Sequence, residues 1–261
     1  MRGVAFTLFF GLFFVLTGTH AQSPEVALGD ADVVQAYVEG DFEGVANLAD
    51  EVMTADAFGV AARALLAKSI VENRDPTQDE VNRAEAYARR AIDMDPHHQE
   101  GRLQLAISLS MRTRQMSKIE AWQSGLGQQA RTLAESVIED APENPYADGY
   151  LSVWHVEAVR IGGRFGASFI GASVKTGRAH YKRANVVNPD DVGLHWQYAR
   201  SLTLLNAKKY RREIEQALAR ALAAGRDNAV EEVFYRRAYE LHSALNAGEM
   251  KAALALAASQ L

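Results

Sequence analysis

The residues with the clearest chemical potential lie in a glycine-rich segment in the second half of the chain. Gly166 and Gly171 have the spacing of the glycines in a phosphate-binding loop, and Lys175-Thr176 follows shortly after. In such a loop the lysine and hydroxyl residue come directly after the second glycine, so that the amine reaches the phosphates. Here residues 172–174 intervene, and no strand pattern precedes the segment. The spacing therefore argues against a nucleotide site.

Histidines are the next candidates, because imidazole serves as a general base and as a metal ligand. His97 and His98 follow a proline in a predicted turn between helices, where we expect solvated side chains. His155, His180 and His195 come from different predicted helices and could converge only in three dimensions. Buried histidines are more often packed or hydrogen-bonded than catalytic, so we predict no metal and no cofactor.

The sequence contains no recognised catalytic combination. It has no G-x-S-x-G nucleophile elbow, no H-E-x-x-H pair, no calcium-loop pattern of acids and no cysteine. The lack of cysteine excludes a disulfide scaffold, a thiolate zinc site and a cysteine for bacterial lipid anchoring. We therefore expect a protein that is not an enzyme.

The densest positive patch is the segment Lys208–Arg212. Glu213 and Glu215 follow it at once, which predicts a solvated helix face, with an acidic partner or an anionic lipid surface as the alternative. The whole chain of 261 residues carries a net charge of −5 and has a pI near 5.8. This balance argues against binding of nucleic acid.

Proline spacing reveals the elements that would position any site. Three of the six prolines close the same pattern, in which small or apolar residues at steps of four and three precede the proline by five residues. Steps of four and three place these residues on one helical face, where small side chains let a neighbouring helix approach closely. The sets are Ala84, Ala88, Ala91 and Pro96; Ala130, Ala134, Val137 and Pro142; and Gly177, Tyr181, Ala184 and Pro189.

This pattern resembles the second helix of the tetratricopeptide repeat (TPR) family. The repeats here recur every 46–47 residues, longer than that family's usual period, which leaves extra residues around Met111–Gly127 and Gly162–Val174. Long units of this kind resemble the regulator-of-microtubule-dynamics proteins, including the stretch Lys118-Ile119-Glu120-Ala121. The resemblance covers about residues 77–224. It implies an all-α fold, a right-handed α–α superhelix that spans residues 22–261 and has capping helices at both ends.

Other helices are predicted outside the three repeats. Thr77 and Glu80 have the spacing of a capping box after Pro76, and Asn144-Pro145 is a second helix start. Beyond Pro189 the helices are predicted at residues 191–205, 208–223, 229–245 and 249–259. No stretch alternates with the period of a β-strand.

The first residues predict export. Arg2, an apolar run of 13 residues at Val4–Leu16 and small residues at Thr19 and Ala21 are typical of a secretory signal peptide, residues 1–21, that is cleaved after Ala21. Thirteen helical residues rise about 20 Å, less than the hydrocarbon core of a membrane. An uncleaved anchor is the alternative. We expect a periplasmic or secreted protein that is not integral to the membrane.

The TPR resemblance also implies which residues bind a partner, because the first helix of each pair lines the concave groove of such arrays. Carried over by position, the groove residues are Glu100, Leu103, Ile107, Tyr146, Val153, Trp196 and Arg200. We expect a non-enzymatic scaffold or adaptor that binds a protein or peptide in this groove. The alternative is a carrier of a small apolar ligand or lipid, with Gly162–Val174 as a lid and Phe165, Phe169 and Trp154 in the pocket.

Overall fold

A computed structural model of the chain describes residues 24–114 and 116–259. Within these two ranges the chain forms thirteen α-helices and no β-strand, which confirms the prediction of an all-α protein. The predicted signal peptide, residues 1–21, lies outside the described residues.

The helices follow one another with short connections. In chain order they are α1 (Pro24–Glu39), α2 (Phe42–Val52), α3 (Ala55–Val71), α4 (Gln78–Met94), α5 (Gln99–Arg114), α6 (Lys118–Ser124), α7 (Leu126–Asp140), α8 (Pro145–Phe169), α9 (Val174–Val187), α10 (Val192–Asn206), α11 (Arg211–Ala223), α12 (Ala229–Asn246) and α13 (Met250–Ser259). The four helices predicted beyond Pro189 therefore end within about one residue of the observed bounds and begin within three.

Local sequence signals explain where helices begin. The Thr77 hydroxyl accepts a hydrogen bond from the Glu80 backbone N–H, and the Glu80 carboxylate accepts one from the Thr77 backbone N–H. This reciprocal pair is a capping box, as predicted, and it satisfies two backbone donors at the start of α4. Asn144 caps α8 through its side-chain oxygen, and Pro145 occupies the first turn.

Small residues form the seams between paired helices, as the proline-marked pattern predicts. Ala84, Ala88 and Ala91 of α4 have no exposed surface. At Gly177 of α9 a Cβ atom would lie 2.7 Å from the carbonyl oxygen of Ser152 in α8, so no larger residue fits without moving a helix. The repeated small positions therefore set how closely the helices pack.

Five helices, α3, α5, α8, α10 and α12, surround a central cavity. α3 packs on α5, α8 packs on α10, and α10 packs on α12. α5 and α8 meet through side chains, where the hydroxyls of Ser110 and Tyr150 lie 2.6 Å apart. α12 also packs against α3, and the Arg237 guanidinium donates a hydrogen bond to Asn73 Oδ1 at 3.1 Å. Helices far apart in the sequence are therefore in direct contact.

Three of these inner helices, α5, α8 and α10, run in the same direction. Their first turns meet, because the Asn144 amide donates to Gln99 Oε1 at 2.8 Å and Gly149 packs against the start of α10. Farther along, Glu157 of α8 lies 3.7 Å from Arg200 of α10. Side chains early in these helices therefore share one end of the cavity, and side chains late in them share the other.

Candidate ligand-binding cavity

The central cavity has a volume of about 860 Å³, and its walls come mainly from α3, α5, α8, α10 and α12. Six of the seven residues predicted to face a groove line this cavity. They are Glu100, Leu103, Ile107, Tyr146, Val153 and Arg200. The positions carried over from the TPR pattern are thus brought together around one space.

Trp196 is the exception, and the expectation that it faces the groove is corrected by the structure. Its side chain has no exposed surface and belongs to the core formed by α9, α10 and α11. A step of four residues turns a helix by 400°, so Trp196 and Arg200 are offset by about 40°. That offset is enough to place the indole in the core while the guanidinium of Arg200 reaches the cavity.

The middle of the cavity is apolar. Aliphatic and aromatic side chains from α3, α5, α8, α10 and α12 contribute to its wall, and most of them are buried or half-buried. They include Leu66, Ile70, Leu103, Ile107, Met111, Val153, Leu194, Val230 and Phe234. This apolar belt separates two ends that differ in charge.

One end, which we call the paired end, carries Arg63 of α3 and Glu100 of α5. The Arg63 Nη2 atom lies 2.5 Å from Glu100 Oε2, and its Nε donates to Glu100 Oε1 at 2.7 Å. The Gln104 amide donates to the same Oε1 at 2.9 Å. Arg63 and Glu100 therefore match each other in a bidentate geometry. Asp191, which also lines the cavity, accepts hydrogen bonds from backbone N–H groups, and burial raises the pKa of its carboxyl. Burial raises the pKa of the neighbouring Tyr37 hydroxyl to about 12, which keeps it neutral.

The other end, which we call the basic end, brings Arg114, Arg160 and Arg200 around Glu157. Arg160 donates to Glu157 Oε2, with Nη2 at 2.6 Å and Nε at 2.7 Å. Arg200 Nη2 lies 3.7 Å from Glu157 Oε1, too far for a hydrogen bond. The buried Oε1 accepts no hydrogen bond from the described residues. All four side chains line the cavity.

Arg200 is the most deeply placed charge at the basic end, with only 3% of its side chain exposed. It donates to Gln197 Oε1 at 3.0 Å and to the Ala257 carbonyl at 3.2 Å. Burial, followed by the positive charge of Arg114, lowers the pKa of Arg200 to about 10. The lowered pKa reflects first the loss of hydration on burial and only then the neighbouring positive charge.

Two inserted segments meet beside the cavity. Trp122 in α6 and Phe169 at the end of α8 line it, and their ring centroids are 6.4 Å apart. Gly163 interrupts α8 with φ 65° and ψ −179°, so the predicted Gly162–Val174 insert is a kinked helical extension. Arg131 of α7 anchors the insert by donating to the Ile170 carbonyl at 2.6 Å.

Three aromatic residues were expected in the pocket of the alternative carrier. Two of them line the cavity and one lies at the surface. Trp154 lines the cavity, and its Nε1 donates to the Gly127 carbonyl at 2.9 Å. Phe169 also lines the cavity, although 85% of its surface is exposed. Phe165 does not line it and is 95% exposed, which corrects its predicted place in the pocket.

The histidines form structural contacts. His155 and His180 stack with ring centroids 5.4 Å apart, and His180 Nδ1 lies 2.7 Å from Asp148 Oδ1. His98 was expected to be solvated, but it is buried at the start of α5, where Nε2 lies 2.8 Å from Asp56 Oδ1. Among the described residues, no group of three histidine or acidic side chains is arranged to hold a metal ion.

Sequence reasoning missed most of the basic end, although the repeat contains a signal for it. Arg114 and Arg160 each lie eighteen residues after the proline of their repeat, Pro96 and Pro142. Equivalent repeat positions face the same way, so this coincidence could have predicted two arginines at one end of the cavity. Arg63 has no such signal, because α3 precedes the three clear repeats.

Comparisons with models of protein families, with curated proteins and with solved structures found no match to this chain. Within residues 24–114 and 116–259, no helix is long and apolar enough to cross a membrane. The cavity and its side chains are therefore the features from which a function can be inferred.

Proposed function

We propose that this protein is a non-enzymatic carrier that binds a small, largely apolar molecule in the central cavity. The observation that carries the proposal is the cavity itself, about 860 Å³ with an apolar belt between polar ends. Small-molecule sites have volumes of roughly 300–1,000 Å³ and combine apolar walls with a few polar groups. The contact between α12 and α3 favours an enclosed ligand over a long peptide that runs through an open groove.

We further propose that the paired helices form a right-handed superhelix of the TPR type whose two ends meet. Three repeats of the small-residue seam support this, together with the shared direction of α5, α8 and α10. In such arrays each helix pair contacts mainly its neighbours, and curvature produces the concave binding surface. Contact of α12 with α3 would convert that surface into a cavity.

Detection of a small molecule bound in the cavity tests the proposed function directly. Native mass spectrometry of the purified protein should detect a bound small molecule, and a fluorescent fatty-acid probe should bind to the emptied protein. Val153→Trp places an indole in the apolar belt and should reduce probe binding at least tenfold. Val186→Trp is the matched control, because Val186 lies on α9 and is 79% exposed.

Ligand length provides a second measure. Each methylene transferred into the apolar belt contributes about 0.8 kcal/mol, or about fourfold in affinity. Affinities for a series of saturated chains should therefore rise by that factor per carbon until the cavity is full. An affinity that does not depend on chain length, or equal losses in Val153→Trp and Val186→Trp, would contradict a cavity-bound apolar ligand.

A peptide partner is the second candidate. It is favoured by the exposed apolar side chains of Trp122 and Phe169 beside the cavity, since such groups often bind partner side chains. In this case native mass spectrometry would detect a peptide, and a double variant of Trp122→Ala and Phe169→Ala would release it. Recovery of a lipid or fatty acid instead would favour the carrier.

We also propose that the protein acts outside the cytoplasm, in a periplasm or after secretion. The support is the amino-acid pattern of residues 1–21 alone. Fractionation of cells that express the full chain, with N-terminal sequencing of the product, would show whether cleavage follows Ala21.

A further inference from the structure

We propose that the basic end of the cavity is a subsite for the anionic head of an amphiphile, a carboxylate or phosphate at the end of an apolar chain. This inference rests on the proposed function and specifies the ligand's chemistry. Its basis is that Arg114, Arg160 and Arg200 line the cavity, while Glu157 is the one described carboxylate in contact with them there.

The charges at this end do not balance. Three guanidinium groups carry three positive charges, and Glu157 contributes one negative charge. Asp75, the other acid whose charge acts on the pKa of Arg114, is exposed and does not line the cavity. The last carbonyls of α5 contribute about half an elementary negative charge. More than one positive charge therefore faces a space whose middle is apolar.

Some N–H groups of the arginines at the basic end also make no hydrogen bond with the described residues. Arg114 lines the cavity, although the residue is exposed overall, and it makes no hydrogen bond or ion pair with the described residues. Arg200 has five N–H donors and uses two of them, for Gln197 and Ala257. Guanidinium groups bind carboxylate and phosphate through paired hydrogen bonds. An anionic head between Arg114 and Arg200 would neutralise the excess charge and occupy these donors.

The position of the subsite fits an amphiphile. Trp122 of the first insert and Ile161, which directly precedes the second insert, both line the cavity, and Ile161 directly follows Arg160. From the basic end the apolar belt leads toward the paired end, where Arg63 and Glu100 are already satisfied. A chain with one charged end would therefore place its head at the basic end and its tail along the belt.

The test compares ligands that differ only in their head group. We expect oleate to bind the ligand-free full chain at least tenfold more tightly than oleyl alcohol, because hydrogen bonds to charged groups are worth about 1.5–3 kcal/mol. Measurements at pH 8 and below micelle-forming concentrations keep the head ionised and monomeric. Oleoyl lysophosphatidate in the same assay distinguishes a phosphate head from a carboxylate head.

Two variants that remove charges of opposite sign provide the decisive control. Arg114→Gln should weaken oleate binding about tenfold and leave oleyl alcohol unchanged, whereas Glu157→Gln should strengthen oleate binding. Arg212→Gln is the matched control, because Arg212 is exposed on α11 and does not line the cavity. A structural role alone would not produce effects of opposite sign.

The outcomes separate the two proposals. Equal affinity for oleate and oleyl alcohol, unaffected by Arg114→Gln, would overturn the anionic subsite and leave the carrier proposal standing. If neither oleate nor oleyl alcohol binds while circular dichroism shows a folded protein, both the anionic subsite and the carrier proposal are overturned. Preference for oleate over lysophosphatidate, or the reverse, supports the subsite and assigns the head group.

Discussion

The two ends of the cavity use arginine in opposite ways. At the paired end, Arg63 and Glu100 form a bidentate pair that joins α3 to α5, and both charges are satisfied. At the basic end, Arg160 pairs with Glu157, Arg200 lies 3.7 Å from its nearest carboxylate oxygen, and Arg114 forms no ion pair with the described residues. Arginine at the first end therefore joins two helices, and arginine at the second end carries positive charge that the described residues do not fully pair.

Burial alone does not distinguish a paired charge from an unpaired one. Glu100 and Arg200 are buried to a similar extent, with 6% and 3% of their side chains exposed. A buried pair with good geometry costs little to keep and much to break, whereas an uncompensated charge costs stability until something binds to it. The same substitution at the two ends should therefore have opposite effects.

The largest expected effect is at the paired end. Arg63→Gln leaves Glu100 buried without its partner and should reduce the free energy of unfolding by about 3 kcal/mol. Urea denaturation followed by circular dichroism measures this value. A loss below about 1 kcal/mol would show that water in the cavity already compensates Glu100, and the contrast between the ends would then disappear.

Acid should weaken the fold through a buried histidine. Burial, together with the nearby charges of His180 and Arg131, lowers the pKa of His155 to about 4 from the ordinary 6.5. The unfolded chain then binds a proton more readily than the folded one, so stability falls as the pH drops from about 6.5 to 4. The expected loss is about 2–3 kcal/mol.

The His155→Gln variant should lose much less stability in acid than the unchanged protein. His242→Gln, on α12, is the control and should lose as much stability as the unchanged protein. Arg63→Gln leaves Glu100 buried without its partner and should lose less stability at pH 5 than at pH 7, because a buried unpaired carboxylate takes up a proton more readily. The effect of Arg114→Gln should be the same at pH 5 and pH 7. A change in that effect would identify a titrating group close to Arg114.

A smaller effect is expected where the insert kinks beside the basic end. Gly163 has φ 65° and ψ −179°, a conformation that is essentially restricted to glycine. Gly163→Ala should cost about 1–2 kcal/mol and shift Phe169 relative to Trp122, which tryptophan fluorescence would detect. Gly166→Ala is the control, because a Cβ atom there meets nothing within 4 Å. Equal costs for the two variants would contradict a strained kink.

The smallest predicted effect is a gain in folding stability at the basic end. Arg114→Gln removes a repulsive charge near Arg200 and breaks no hydrogen bond within the described residues, so stability should rise by about 0.5 kcal/mol. The matched substitution Arg63→Gln should lose stability under the same conditions. If both variants lose stability, the basic end is a structural ion cluster and the proposed difference between the ends is wrong.

Much of the fold could be predicted because its signals are local. The capping box at Thr77 and the proline after each small-residue pattern involve residues within about a dozen positions of one another. Backbone hydrogen bonding and proline sterics act over the same short range. The repeat spacing also predicts part of the site. Ile107, Val153 and Arg200 lie at equivalent positions of the three repeats, and all three line the cavity.

The rest of the site depends on contacts that no local pattern encodes. Arg63 and Glu100 are 37 residues apart, and Arg237 contacts Ile70 across 167 residues. Trp196 was misplaced because a helical step of four leaves an offset of about 40°, and only packing against neighbouring helices decides which side that offset falls on.

The helical class, the small-residue seams, several helix starts and most of the inner positions can be read from the chain, because they follow from backbone sterics and from spacing within one segment. The contact of α12 with α3, the cavity and the difference between its two ends cannot be read in this way. They depend on how helices far apart in the sequence pack together and on which distant charges come within a few ångströms of each other.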